Sequence, residues 1–299
     1  MVSIPFYDAW AEAAQPDLLR ERIGEDGYLY LPRLIPQAAV REVHRDILAI
    51  CREHGWADDR GLAVGGPRLE GSPEWFEVYD LLQCLESFHA LAHRGEVTSV
   101  IEALVEETVL VHPRNIARIT FPGAEHFTTP AHQDYVHIQG THDTYTAWIP
   151  LCDCPVEVGG LAILAGSHRL AVLPVHGASG PGGVAVDTGD LGLTWCAQDM
   201  RAGDVLLFHS HTVHRALPNL SVRGLRVSMD ARYQGVSQPV VADSLEPHYG
   251  RVTWEQVYAG WKRADLQYYW RSMPLNIVPR EPVEVAPYRS TITFCRCER

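Results

Sequence analysis

His132-Gln133-Asp134, His214 and Arg226 are the residues whose types and order could do chemistry together. Two imidazoles and one carboxylate occupy one face of a metal and leave its other positions open. That arrangement suits Fe(II) that must also bind an oxo-acid and dioxygen. Arg226 offers a planar fork that can hold the distal carboxylate of such an acid in a bidentate grip. Assembled, these residues would make an Fe(II) centre with 2-oxoglutarate as co-substrate and O2 as oxidant. The chain would then be an oxygenase acting on a third, small molecule.

A His-x-Asp alone is weak evidence in a chain with 15 histidines, and a second one stands at His44-Arg45-Asp46. Periodicity separates the two. Ala39, Val43, Ile47 and Ile50 recur at helical spacing around His44, and helix positions two apart diverge. His132 and Asp134 follow Pro130 where a strand is plausible, and strand positions two apart share a face. The third ligand is harder to choose, because His209, His211 and His214 crowd one segment. In one regular strand, His209 and His211 would face together and His214 would oppose them. The 204–208 and 212–214 runs read better as separate strands joined at His209-Ser210.

The elements that must position these residues change character along the chain. Residues 1–106 read as mostly helical, with candidate helices over 17–23, 37–51, 75–84, 88–93 and 97–105 and a short strand at Tyr28-Leu29-Tyr30-Leu31. Residues 107–235 show short β-rich runs at 109–111, 115–121, 145–151, 161–164, 205–208, 212–214 and 225–233, separated by turn residues. Many short strands in one region predict a sandwich or jelly roll. The Gly- and Pro-rich stretch of 169–202 reads as a loop serving as lid or substrate wall. Residues 236–299 return to helix near 253–263, followed by Tyr268-Tyr269-Trp270, an apolar flap for a sheet edge. The expected class is therefore α+β: a double-stranded β-helix core with helices packed around it, in a single domain over 1–299.

Bulk properties narrow the function further. Net charge is −12, which disfavours nucleic acid or an anionic membrane as partner. No stretch reaches the apolar length needed to span a bilayer, and the start lacks a basic, then apolar, leader, so a cytoplasmic location is expected. Lys262 is the one lysine among 25 lysines and arginines, leaving little scope for Schiff-base chemistry. Seven cysteines in such a chain read as buried or incidental thiols rather than a disulfide framework. The Cys152/Cys154 and Cys295/Cys297 pairs lack the spacing of a zinc knuckle.

Together these segments resemble the phytanoyl-CoA dioxygenase family of iron/2-oxoglutarate oxygenases. Gly27 to Pro32 looks like that family's opening strand, and Thr129-Pro130-Ala131-His132-Gln133-Asp134-Tyr135 like its His-x-Asp element. Ala147 to Asp153, Gly159-Gly160-Leu161 and Gly166-Ser167-His168 are similar to its strand-turn-strand stretch. Gly203 to Phe208, His214, Pro218-Asn219 and Arg226 resemble its closing motif. The resemblance implies iron on His132, Asp134 and His214, the 5-carboxylate of 2-oxoglutarate on Arg226, and Trp148 and Gln133 lining the co-substrate pocket. Its spacing to an arginine favours His214 over the runner-up His211. Departures such as Ala131, Val158 and Ala216 spare the triad but leave the second grip on 2-oxoglutarate open among Arg114, Asn115, Arg118 and Thr120.

His137, His211 and Trp195 are the candidate substrate residues. In an unbroken strand His137 opposes His132 in parity and needs a bulge to face the metal. Trp195, the long insertion and the C-terminal aromatics point to an apolar or partly apolar small molecule, met by a monomer or homodimer. Two rival readings fit the same fold: a cupin-like metalloenzyme that does not use 2-oxoglutarate, and a non-catalytic jelly-roll binding protein.

Overall fold

The computed structural model describes residues 3–189 and 191–287. Five helices, α1 (Pro16–Asp26), α2 (Gln37–Glu53), α3 (Pro73–Gln83), α4 (Glu86–Ala92) and α5 (Gly95–Val105), occupy the N-terminal third, with strand β1 (Tyr28–Leu31) after α1. Helix α2 buries Val40, Val43, Ile47, Leu48 and Cys51 along one stripe. His44-Arg45-Asp46 lies within it, with Asp46 accepting from Ser87 Oγ at 2.7 Å rather than facing His44's partners. The second His-x-Asp is a helix face.

The strands that follow are β2 (Val109–Val111), β3 (Ile116–Thr120), β4 (Tyr145–Pro150), β5 (Leu161–Leu164), β6 (Val175–Gly177) and β7 (Val184–Val186). After them come β8 (Trp195–Cys196), β9 (Val205–His209), β10 (His214–Ala216), β11 (Arg226–Gly235), β12 (Val240–Val241), β13 (Ile277–Val278) and β14 (Val285–Ala286). A six-stranded antiparallel sheet runs β1-β9-β4-β11-β2, with β3 also pairing β11, and a second sheet runs β10-β5-β8. The two sheets enclose Tyr28, Tyr30, Trp148, Ile163, Leu206 and Phe208, the interior of a jelly roll.

Strand β11 shows how the sequence writes both faces at once. Val227, Met229, Ala231 and Tyr233 join the core shared with helices α1 to α5. Arg226, Ser228, Asp230, Arg232 and Gln234 alternate with them and turn to the other face. All ten residues of this strand are buried. A polar ladder inside a closed sheet marks a place where charge must be met by charge.

Two segments differ from expectation. The 169–202 stretch is not structureless: it supplies β6 and β7 as a hairpin, and β8 as part of the smaller sheet. The C-terminal helix is shorter than its pattern. Helix α7 (Trp254–Tyr258) begins at a capping box between Thr253 and Gln256. It stops before Gly260, a poor helix former, where Trp261 folds back to donate from Nε1 to the Cys84 carbonyl at 2.9 Å. Trp254, Tyr258 and Trp270 pack on Leu110 and Val240, covering that edge of the large sheet. Cys51, Cys84, Cys152, Cys154 and Cys196 are free thiols, and the Cys295/Cys297 pair lies outside the described residues. Among the described residues no helix is long and apolar enough to cross a membrane.

Candidate active site

His132 and His214 meet through backbone pairing. Each donates its amide to the other's carbonyl at 3.0 Å, an isolated antiparallel bridge that brings their ring centres within 4.2 Å at a 53° tilt. His214 opens β10, and the chain between β9 and β10 turns at residues 210–213. The break at His209-Ser210 thus gives His214 its inward direction. The strand expected through Asp134 is not there. Asp134 has φ −62° and ψ −28° and starts the short helix α6 (Tyr135–Ile138). It nonetheless returns beside the imidazoles, with Oδ1 3.5 Å from His132 Nε2 and 3.8 Å from His214 Nε2.

The donor set fits a divalent metal. One ligand atom from each of the three buried residues lies within 4.8 Å of the others. His132 Nδ1 sits 2.8 Å from the Pro130 carbonyl and His214 Nδ1 3.0 Å from the Thr212 carbonyl. A carbonyl only accepts, so both Nδ1 atoms carry the proton and both Nε2 lone pairs are free. Burial pulls His214 down to about 3, which keeps the ring neutral for coordination. Burial alone would raise the Asp134 carboxyl, but Arg232 with His132 and His214 outweighs it and holds it well below the usual range.

Arg232 and Thr146 orient the carboxylate. Thr146 Oγ1 donates to Asp134 Oδ2 at 2.6 Å, and Arg232 Nη2 lies 3.3 Å from both oxygens. Thr146 stands opposite Arg232 in the register of β4 and β11, and Trp148 opposite Asp230. Arg232 was not among the expected site residues, although it shares the parity of Arg226 on the continuous strand β11.

Two cavities adjoin the triad and share His132, Asp134 and Arg232. The inner one enters the jelly roll between Trp148, Phe208 and His214, and Arg226 lies in its wall. Arg226 is 4% exposed, gives Nη1 to Ser228 Oγ at 2.6 Å, and leaves a buried Nε without any partner. A buried guanidinium with an unmet donor fits an anionic occupant of this cavity. The outer cavity, about 360 Å³, opens between Ile116, Ile138, Pro181 and Tyr249.

The other expected residues divide. Trp148 lines the inner cavity, and His137 lines the outer one. His137 reaches it through the turn of α6, not through a bulge, with its ring 5.4 Å from that of His132. Gln133 is corrected. Its amide donates to the His211 carbonyl at 2.8 Å and accepts from the Leu173 amide at 2.7 Å, so it fastens a loop on the side away from the cavities. Trp195 is also corrected: it packs with Val136 and Leu164 beneath the Arg215 guanidinium and touches neither cavity. His211 faces His142, Nε2 to Nδ1 at 2.8 Å, outside both cavities. Of the candidates for a second co-substrate grip, Arg118 is bound by Glu70 at 2.8 Å, and Asn115 is turned toward His89. Thr120 stands opposite Arg226 in register, and Arg114 faces the outer cavity.

The family model of phytanoyl-CoA dioxygenase (PhyH) matches residues 23–227. The chain belongs to the phytanoyl-CoA dioxygenase family. It is 30% identical over 250 residues to 1-deoxypentalenic acid 11-beta-hydroxylase of Streptomyces arenae, covering 75% of this chain and 82% of that protein. The enzyme of the same name from Streptomyces exfoliatus is 28% identical over 239 residues, with the same shares covered. Among solved structures, the epimerase SnoN in complex with Fe3+, alpha ketoglutarate and nogalamycin RO shares the fold, with a TM-score of 0.58 at 21% identity over 76% of this chain and 86% of that one. EvdO2 from Micromonospora carbonacea var. aurantiaca, complexed with 2-oxoglutarate, aligns with a TM-score of 0.51 at 20% identity over 81% of this chain and 96% of that one. This phytanoyl-CoA dioxygenase family member is an Fe(II)- and 2-oxoglutarate-dependent dioxygenase.

Part of the wall of the outer cavity comes from the insertion, through Pro181 and Gly182. Gly180 has φ 113°, and a Cβ there would run into the Thr128 carbonyl, so only glycine lets the loop close on the 128–130 segment before His132. Pro181 and Gly182 then line the cavity, with Gly182 against His137. This part of the insertion is held against the 128–130 segment by backbone contact.

Proposed function

We propose that His132, Asp134 and His214 hold the iron, that Arg226 holds the distal carboxylate of 2-oxoglutarate in the inner cavity, and that a small molecule is hydroxylated from the outer one. The observation that carries this reading is the convergence of three donor atoms within 4.8 Å at the junction of two cavities. When bound, iron with 2-oxoglutarate and O2 supplies the oxidising power for attack on an unactivated C–H bond, with succinate and CO2 released. The chain's own residues do the positioning. Thr146 holds Asp134 Oδ2 and Arg232 spans both oxygens, while Oδ1 is the oxygen beside the two Nε2 atoms. The Pro130 and Thr212 carbonyls fix both imidazole tautomers. Trp148, Leu161 and Phe208 form the apolar part of the inner cavity's lining, and the burial of Arg226 strengthens its hold on a carboxylate.

Relatives named as hydroxylases of a small-molecule acid support hydroxylation as the outcome. The free thiols favour a reducing, cytoplasmic setting. Asp134→Ala removes one of three ligands and should abolish substrate-stimulated succinate release while far-UV circular dichroism stays unchanged. A variant with wild-type iron content and turnover sinks the assignment.

A further inference from the structure

The outer cavity carries more positive charge than its walls answer. Three arginines line it, Arg114, Arg118 and Arg232. Arg118 is neutralised by Glu70, 2.8 Å from Nη1, and by Asp230, 3.2 Å from Nε. Arg232 is neutralised by Asp134. Arg114 differs from both. Its Nε donates to the backbone carbonyl of Glu246 at 3.1 Å, and among the described residues it has no ion pair and no hydrogen bond from its terminal amino groups. Nearby acids are already engaged: Asp243 takes Arg280 Nε at 2.7 Å, and Glu70 also accepts from Tyr249 at 2.6 Å.

Arg114 is half-buried, so its guanidinium gives up part of its water without gaining a counter-charge. Burial lowers Arg114 to about 10, so it stays charged at neutral pH. The other polar groups of this wall leave the charge unmet. His248 is kept neutral, first by burial and then by Arg118, Arg114 and Arg232, and its Nδ1 is engaged by the Tyr79 hydroxyl at 2.5 Å. Ile116, Ile138 and Pro181 are the apolar part of the same lining.

We propose that Arg114 is the docking point for a carboxylate on the substrate, whose apolar body lies against Ile116, Ile138 and Pro181 beside the triad. This rests on the outer cavity being the substrate site proposed above. The substrate class is then a small carboxylic acid with an apolar skeleton. Two free terminal amino groups of one guanidinium match the two oxygens of a carboxylate.

The test uses the full chain, metal-free, with a panel of cyclic and linear acids sized to the outer cavity of about 360 Å³, each paired with its methyl ester, in calorimetric titrations. At least one acid should bind tenfold or more tightly than its ester. Arg114→Gln should erase that preference and Arg114→Lys should keep part of it. Saturating 2-oxoglutarate should leave the preference intact, since it belongs in the other cavity. The proposal is overturned if no acid outbinds its ester, if the preference survives in Arg114→Gln, or if 2-oxoglutarate competes it away. Should Arg114→Gln fail to fold, the acid-to-ester ratio in Arg114→Lys decides, and an unchanged ratio overturns it. Iron and 2-oxoglutarate titrations run beside these separate the two readings. Their failure with acid preference retained removes the oxygenase assignment alone.

Discussion

Arg232 Nη2 lies 3.3 Å from each carboxylate oxygen of Asp134, so a metal ligand of this site is itself clamped by a buried cation. The cation is 6% exposed and its Nε has no partner. Such outer partners set which oxygen a metal sees, and their loss typically weakens metal binding about 10- to 100-fold. Arg232→Gln should therefore weaken Fe(II) by that amount in a chelator competition titration, with Arg232→Lys falling between. An unchanged affinity in the Gln variant means Thr146 alone orients Asp134.

His214→Ala and His211→Ala should separate sharply. The first removes an Nε2 that faces Asp134 at 3.8 Å, and the second a ring that faces His142. Iron content measured after reconstitution should collapse in the first and stay near wild type in the second. The reverse pattern would move the third ligand to His211.

What the sequence made legible was whatever its periodicity wrote locally. The stripe of α2 disposed of His44 and Asp46, and the two runs around Ser210 placed His214 on its own strand. The inward ladder of β11 was equally local, yet Arg226 was singled out by its place after His214 in the motif and not by that ladder. Arg232 sits at the same parity on a fully buried strand, where an arginine needs a partner. Gln133 and Trp195 failed for a different reason. Their surroundings are set by the loop after His168 and by the packing of the small sheet, contacts between segments distant in sequence that no local period encodes.

Acid should loosen the fold through its buried histidines, of which His89 and His112 belong to neither the triad nor its hydrogen-bond partners. His89 and His112 are buried, and burial holds each down to about 4 against an ordinary 6.5. The unfolded chain takes up these protons near pH 6.5 while the native state refuses them until about pH 4. The unfolded state then binds more protons, so stability is complete above that window and falls as pH drops through it. Each histidine contributes a slope of up to about 1.4 kcal/mol per pH unit. Urea midpoints of the metal-free protein should decline from pH 6.5 to pH 4.5, and His112→Gln should reduce the slope by about one proton. A flat profile would mean these rings protonate without leaving their sites.

Arg226 gives the most direct reading of the co-substrate, because its proposed role touches 2-oxoglutarate alone. Its guanidinium is buried in the inner cavity, 5.9 Å from the Trp148 ring centre, with Ser228 as its hydrogen-bond partner and Nε unmet. Truncating one side of a buried, charge-assisted contact costs on the order of 2–5 kcal/mol. Arg226→Ala should therefore raise the 2-oxoglutarate concentration needed for half-saturation roughly 30-fold or more, with Fe(II) affinity little changed. Arg226→Lys should recover only part, since a point charge lacks the second donor of the fork. An arginine that merely pairs across the sheet would give the opposite result. Titrations of the Ala variant and the parent with 2-oxoglutarate would then superimpose, and the inner cavity would lose its assigned occupant while the triad kept its metal.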